Sequence, residues 1–151
     1  MGRQQPRLPY ACKNNTLARV VGFMNASSGT VHSTHMKQVT AVRLAETLEM
    51  AVHHYPEAET ITVVWDNWPN HHSKKVLEVV STHPRLRLLP LPTYAPWLNK
   101  IEKFWRRLRQ DLTHAHPWCD DFREFLRQLR TQLSHYSEGC IDLLRYVGLS
   151  T

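Results

Sequence analysis

Asp66 and Glu102 are the side chains of this 151-residue sequence best suited to chemistry. Asp66 directly follows the apolar run Ile-Thr-Val-Val-Trp at 61–65. In an open α/β sheet, reactive groups gather at the carboxyl ends of the strands. A carboxylate there stands at the rim of the sheet, within reach of a metal ion, instead of inside the core. Glu102 follows after thirty-five intervening residues. It lies in the first turn or two of a segment whose Ile101, Phe104, Trp105, Leu108 and Leu112 recur at steps of three and four, the signature of an amphipathic helix. That apolar stripe fixes the helix to the core and leaves Glu102 toward the same rim. Each acid also has a plainer reading. Asp66-Asn67 is a good turn opener, and Glu102 can pair with Arg106 at i+4 on a helix surface. Spacing alone does not decide between these readings.

The elements needed to position the two acids are legible along the chain. Residues 1–16 read as an extended lead-in. The stretch from Leu17 to His35 reads as two strands joined by a turn at Asn25–Gly29. Val39, Val42, Leu44, Ala45, Leu48 and Val52 recur near helical spacing, so a helix is expected from Val39 to His54, ended by Pro56. The run 61–65 has the composition of a strand buried on both faces. A helix is expected over 73–81, with Val76, Leu77, Val79 and Val80 inward, and then a strand through Leu86, Leu88, Leu89 and Leu91, closed by Pro90 and Pro92. The helix bearing Glu102 is expected to begin near Trp97 or Leu98. Asp121 with Glu124 three residues later resembles a capping box. It precedes a regular stripe from Phe122 to Tyr136, and the final CIDLLRYVGL is apolar enough to dock on the core. Strands alternating with helices indicate one α/β domain.

Composition narrows the setting. The net charge of +6 favours a polyanionic partner. Lys74, Lys75, Arg85, Arg87, Lys100, Lys103, Arg106, Arg107 and Arg109 crowd the middle third, near both acids. No apolar window is long enough to span a bilayer, and three cysteines without paired spacing suit a reducing compartment. A cytoplasmic protein, nucleoid-associated in a bacterium, is the expectation. His114, His116 and Cys119 form a short cluster, but their spacing does not match a structural zinc site. Trp65 is expected in the core. Trp68 and Trp97 sit in turns and are better placed to stack on bases.

DNWPNHH followed by LPTYAPWLNKIEKFWRRLRQ resembles the signature of bacterial DDE transposases of the mariner superfamily, particularly the six-thirty insertion-sequence family. The matching residues are Asp66, Asn67 and His71, then Tyr94, Pro96, Leu98, Asn99, Ile101 and Glu102. Weaker likeness extends from GRQQPRLP to DLLRYVGL. Lys100 stands where many relatives have Pro, a change that a helix start accepts.

The resemblance implies an RNase H-like fold, a mixed sheet with flanking helices, and Mg²⁺-dependent (or Mn²⁺-dependent) strand cleavage and strand transfer on DNA. In such chemistry two ions about 4 Å apart activate the attacking oxygen and stabilise the leaving one. Asp66 and Glu102 would hold the metals. Asn67, Asn99 and His71 would support them, and Lys74, Lys75, Lys100, Lys103, Arg106, Arg107, Arg109, Trp68 and Trp97 would contact DNA. The family's first catalytic Asp lies on a central strand upstream of the Gly-Arg-Gln-Gln-Pro-like segment, where this sequence begins, and no Asp precedes Asp66. The expectation is a partial catalytic domain over 1–151, with its first central strand missing, no separate helix-turn-helix domain and impaired activity. It would assemble as a homodimer or with an amino-terminal fragment. The alternative is a non-catalytic DNA-binding remnant that joins or inhibits full-length transposase assemblies.

Overall fold

The computed structural model describes residues 18–113 and 121–150. The elements are β1 (Arg19–Met24), β2 (Val31–Met36), α1 (Ala41–His54), β3 (Ile61–Trp65), α2 (Lys74–Thr82), β4 (Leu86–Pro90), α3 (Ile101–Thr113), α4 (Phe122–Ser134) and α5 (Ile141–Val147). Single 3-10 turns at Pro69–His72 and Pro96–Leu98 precede α2 and α3. The zinc reading of His114, His116 and Cys119, and the lead-in over 1–16, fall outside the described residues.

The hairpin forms because Asn25 turns the chain. Its Oδ1 accepts from the amides of Ser27 at 2.8 Å and Ser28 at 3.2 Å, and its carbonyl accepts from Gly29 N–H at 2.9 Å. β1 and β2 then pair antiparallel, Arg19 opposite Met36 through Met24 opposite Val31. β3 and β4 pair in parallel, Ile61 opposite Leu86 through Trp65 opposite Pro90, with α2 as the crossover that a parallel pair requires. Pro90 is tolerated because it closes the strand at its last residue. The expected mixed sheet is thus present as one antiparallel and one parallel pair, with no ladder joining them among the described residues.

Helices cover these pairs in two layers. Leu44, Leu48 and Val52 of α1 and Val76 and Val79 of α2 bury against Trp65 and Leu86, with Val21 of β1 at the margin. On the other side Phe104, Leu108 and Leu112 of α3 join Leu129, Leu133, Leu143, Val147 and Val31, with Val20 of β1 packed against them. Adjacent residues of a strand point to opposite faces, so Val20 and Val21 show that β1 lies between helical layers.

Several sequence readings need correction. β3 is covered on one face only: its pattern alternates and Val64 is 45% exposed. Among the described residues no helix meets the outer side of the parallel pair, so an apolar run did not mean two buried faces. Val42 and Leu77 are also exposed, because each helix needs a narrower stripe than its apolar residues could fill. α3 begins at Ile101 rather than Trp97 or Leu98, since Pro96–Leu98 is wound as the tighter 3-10 turn. Asp121 does cap α4, its carboxylate accepting from the amides of Arg123 and Glu124. The reciprocal half of the capping box does not form, because the Glu124 carboxylate accepts from Arg127 and Gln128 instead.

The hairpin turn is fastened to the amino end of α5. Cys140 N–H donates to Ser28 O at 3.0 Å, and Gly29 is buried at φ 71, where a Cβ would collide with the Cys140 carbonyl oxygen. Gly148 also has positive φ, but open space lies where its Cβ would be. Gly148→Ala should therefore cost only the left-handed penalty of about 1–2 kcal/mol. Gly29→Ala should cost that plus the steric clash. Urea denaturation of both variants checks this, and equal losses would contradict the close approach.

Candidate active site

Asp66 is the first residue past β3, and the strand's end is held from two sides. Leu91 N–H donates to Trp65 O at 2.8 Å, continuing the parallel ladder past β4. His71 folds back from the following 3-10 turn. Its Nδ1 lies 2.9 Å from the Asp66 carbonyl oxygen and 3.0 Å from Asp66 Oδ1. A carbonyl can only accept, so Nδ1 carries the proton and the ring's other nitrogen is left free of that duty. The imidazole stacks on Trp65, centroids 4.5 Å apart and planes 5° from parallel, and meets Trp68 edge-on at 5.6 Å. Asp66 Oδ1 also accepts from Trp68 N–H at 3.3 Å. The carboxylate is therefore oriented by its own turn, and the His71 side chain, 13% exposed, is locked in that role.

Asn67 faces the next loop. Its Nδ2 donates to Thr93 Oγ1 at 3.2 Å, and its Oδ1 accepts from His72 Nε2 at 2.6 Å. Asn99 contributes its backbone, the carbonyl accepting from Glu102 N–H at 3.1 Å at the start of α3. These contacts join the end of β3, the Pro-Thr-Tyr-Ala-Pro loop and the first turn of α3 into one unit.

Glu102 sits in that first turn. It is surface-exposed, yet its pKa is raised, first by loss of water around the carboxyl and second by the charge of Asp66. Arg109 and Arg106 pull in the opposite direction without cancelling the rise. At 100° per residue Arg106 and Arg109 lie within about 40° of Glu102 around the helix axis. No ion pair within 4 Å joins Glu102 to Arg106 among the described residues, so the plain surface pair is not what forms. The two acids the spacing singled out thus share one electrostatic environment. No group of three His, Cys, Asp or Glu in metal-holding proximity occurs among the described residues.

The family comparison coincides with this unit. Residues 2–126 match the family described as DDE superfamily endonuclease. The chain belongs to this family. It is similar to the insertion element IS630 uncharacterized 39 kDa protein of Shigella sonnei, 26% identical over 97 residues that make up 64% of this chain and 28% of that protein. Among solved structures, it resembles Mos1 transposase in a paired-end complex with the left transposon end. The TM-score there is 0.70 at 18% identity, over 98% of this chain and 45% of that one. A chain of the simian T-cell lymphotropic virus intasome in complex with the PP2A regulatory subunit B56 gamma matches with TM-score 0.61 at 20% identity, over 80% of this chain and 44% of that one. The chain therefore spans less than half the length of the relatives it matches. At these identities the structural likeness is one of fold and bears out the α/β class, while the family match and the IS630 relative bear out the resemblance to DDE transposases.

Within this DDE-family chain the basic residues divide. Arg85 Nη1 donates to the carbonyls of Tyr55, Pro56 and Ala58 at 3.0, 2.9 and 2.7 Å, so it fastens the loop before β3. Arg107 lies over the Tyr146 ring at 4.9 Å and 3.8 Å from Asp111, turned toward α5. Lys75 pairs with Glu78 at 3.3 Å. Lys74, Lys103, Arg106 and Arg109 are exposed, and Lys100 is half-buried at the start of α3. Trp65 is buried as expected, while Trp68 and Trp97 are 40% and 69% exposed. Sequence reasoning missed Thr93 and His72 as partners of Asn67, and the fastening role of Arg85. The Thr-Tyr pair inside a Pro-bounded turn was the available signal for Thr93; nothing local pointed to Arg85.

The raised pKa of Glu102 has a stability consequence of fixed sign. Just above the ordinary Glu value of 4.5 the folded chain holds a proton that the unfolded chain has released. Stability therefore falls as pH rises through that window and levels off above it. Glu102→Gln should remove this component and Asp66→Asn should shrink it, as read by urea midpoints across the window. NMR titration of Glu102 should show a lower pKa in Asp66→Asn; an unchanged value would mean the two charges do not interact.

Proposed function

We propose that this chain supplies two of the metal-holding carboxylates, Asp66 and Glu102, of a transposase site that cleaves and joins DNA strands with Mg²⁺ or Mn²⁺. The observation carrying the reading is that loss of water and the charge of Asp66, at the rim of a parallel strand pair, together hold up the pKa of Glu102 on α3. A carboxyl group whose ionisation a neighbouring carboxylate disfavours fits a dication, which would offset the repulsion and take the oxygen ligands that hard cations prefer. Such ions, when bound, polarise the phosphate and activate the attacking oxygen. The chain's own groups do the rest. His71 and the Trp68 amide orient Asp66. Asn67 and Thr93 hold the loop to Glu102, and α3 fixes that acid through Phe104, which is fully buried.

DNA is the proposed partner, with Lys74, Lys100, Lys103, Arg106 and Arg109 meeting phosphates and Trp68 and Trp97 meeting bases. Arg107 and Lys75 are weaker members of that set, since each already has an intramolecular partner. Assembly as a homodimer or with an amino-terminal fragment belongs to the same proposal. No helix among the described residues is long and apolar enough to cross a membrane, and a nucleoid-associated location would follow from DNA binding.

A second reading has its own support. Lys74, Lys103, Arg106 and Arg109 are exposed whatever the two acids do, which suits a DNA-binding remnant that enters or inhibits larger transposase assemblies. Plasmid nicking with Mg²⁺ or Mn²⁺ separates the two. On the first reading nicking depends on the metal, and Asp66→Asn and Glu102→Gln each reduce it by more than the roughly 10–100-fold lost with a group that merely supports a metal ligand. Equal nicking by all three proteins refutes the assigned roles. DNA binding of equal strength in all three, without metal-dependent nicking in any, selects the second.

A further inference from the structure

Tyr94 combines a backbone conformation rare for a bulky residue with high exposure of its ring. It is the one non-glycine residue with positive φ among the described residues, at 65°. It is also 89% exposed, the most exposed large apolar side chain described. The Ala95 amide donates to Pro92 O at 3.2 Å, closing a four-residue turn in which Tyr94 is third. Turns that need positive φ at that position normally carry Gly or Asn there. A bulky residue in this region is strained and persists where its surroundings over-determine it, commonly at ligand-contact sites. The surroundings here do so. Thr93 is tied to Asn67, Ala95 is buried, and Leu98 N–H returns to Ala95 O at 3.1 Å.

The ring therefore stands in solvent on a backbone fixed between Asp66 and Glu102, with only its two side-chain torsions free. Trp68 and Trp97 are exposed on the flanking turns, and Lys100 and Lys103 follow at the start of α3. Aromatic faces presented among cations are how proteins hold unpaired bases without reading sequence. We propose that Tyr94 stacks on an unpaired nucleobase of a DNA strand led past the two carboxylates. This rests on the DNA partnership proposed above and adds the residue that grips the strand beside the acids.

The turn makes the test separable from folding. Tyr94→Gly and Tyr94→Asn both relieve backbone strain, so each should melt at or above the wild-type temperature. Each should nevertheless bind a single-stranded oligonucleotide on the order of tenfold or more weakly, as loss of one stacked base implies. Tyr94→Phe should bind like wild type. With 2-aminopurine in the oligonucleotide, quenching should persist in wild type and Tyr94→Phe and fall in the Gly and Asn variants. Wild-type affinity and quenching in Tyr94→Gly and Tyr94→Asn would overturn the stacking role while leaving DNA binding intact. Absence of oligonucleotide binding by the wild-type chain at low salt would overturn the DNA partnership and this inference together.

Discussion

The constraint around which the rest of the structure is arranged is that two carboxylates from distant parts of the chain are held where the charge of Asp66 disfavours that of Glu102. Left to itself such a pair would separate, so the fold must clamp both carriers. β3 is clamped by its ladder with β4 and by the Trp65–His71 stack. α3 is clamped by Phe104, Leu108 and Leu112, each nearly or fully buried. Fully burying an apolar side chain of that size contributes about 1.5–3 kcal/mol. Three of them outweigh a partly solvated like-charge contact, whose interaction water keeps small. The repulsion is thus sustained by apolar packing on the far side of the helix that bears Glu102.

Much of this was legible in the sequence, and the reasons are local. Ile101, Phe104, Leu108 and Leu112 place the buried side of α3, and with it the side left to Glu102. The β-branched run before Asp66 places that acid at a strand end. Local signals failed wherever the outcome depended on a partner far along the chain. Val64 has the composition of a buried strand residue, but whether a layer covers it is decided by distant elements. Asn67 looked like a generic turn residue, and its contact with Thr93 spans twenty-six positions. Arg85 looked like one more surface cation until three carbonyls of the preceding loop closed around it. The capping box at Asp121 failed for a different reason: Glu124 had a charged partner in Arg127 within reach, and a bidentate ion pair outcompetes a single backbone amide.

The sheet illustrates how a fold can satisfy its core and still leave backbone available. β1 meets a helical cluster on each face, through Val20 on one and Val21 on the other, and the parallel pair is covered on one face by α1 and α2. Covering a face does nothing for an edge, because edge amides and carbonyls lie in the plane of the sheet. Among the described residues, two pairs with no ladder between them leave more edge than one four-stranded sheet would. Both pairs nonetheless reach the same helix, since α1 packs on Trp65 and Leu86 while Val21 touches that cluster from β1. Their relation is set by side-chain packing through α1 rather than by hydrogen bonding, which fixes position less strictly than a shared ladder.

The charge distribution adds a final constraint on any reading of the site. With a net charge of +6 the chain has cations to spare, yet Glu102 is held above its ordinary pKa even though Arg106 and Arg109 lie on its side of α3. Those guanidinium groups are close enough to lower the pKa and too solvated to restore it. Other arginines are committed elsewhere, Arg85 to a loop and Arg107 to Tyr146 and Asp111. Glu102 is therefore left short of positive charge inside a basic protein. A fold selected for stability alone would have turned one of those arginines onto Glu102 as a direct pair. That open deficit, with exposed Lys103, Arg106 and Arg109 on the same helix, is what the proposed site would use, a small cation offsetting the acids and a polyanion meeting the basic groups.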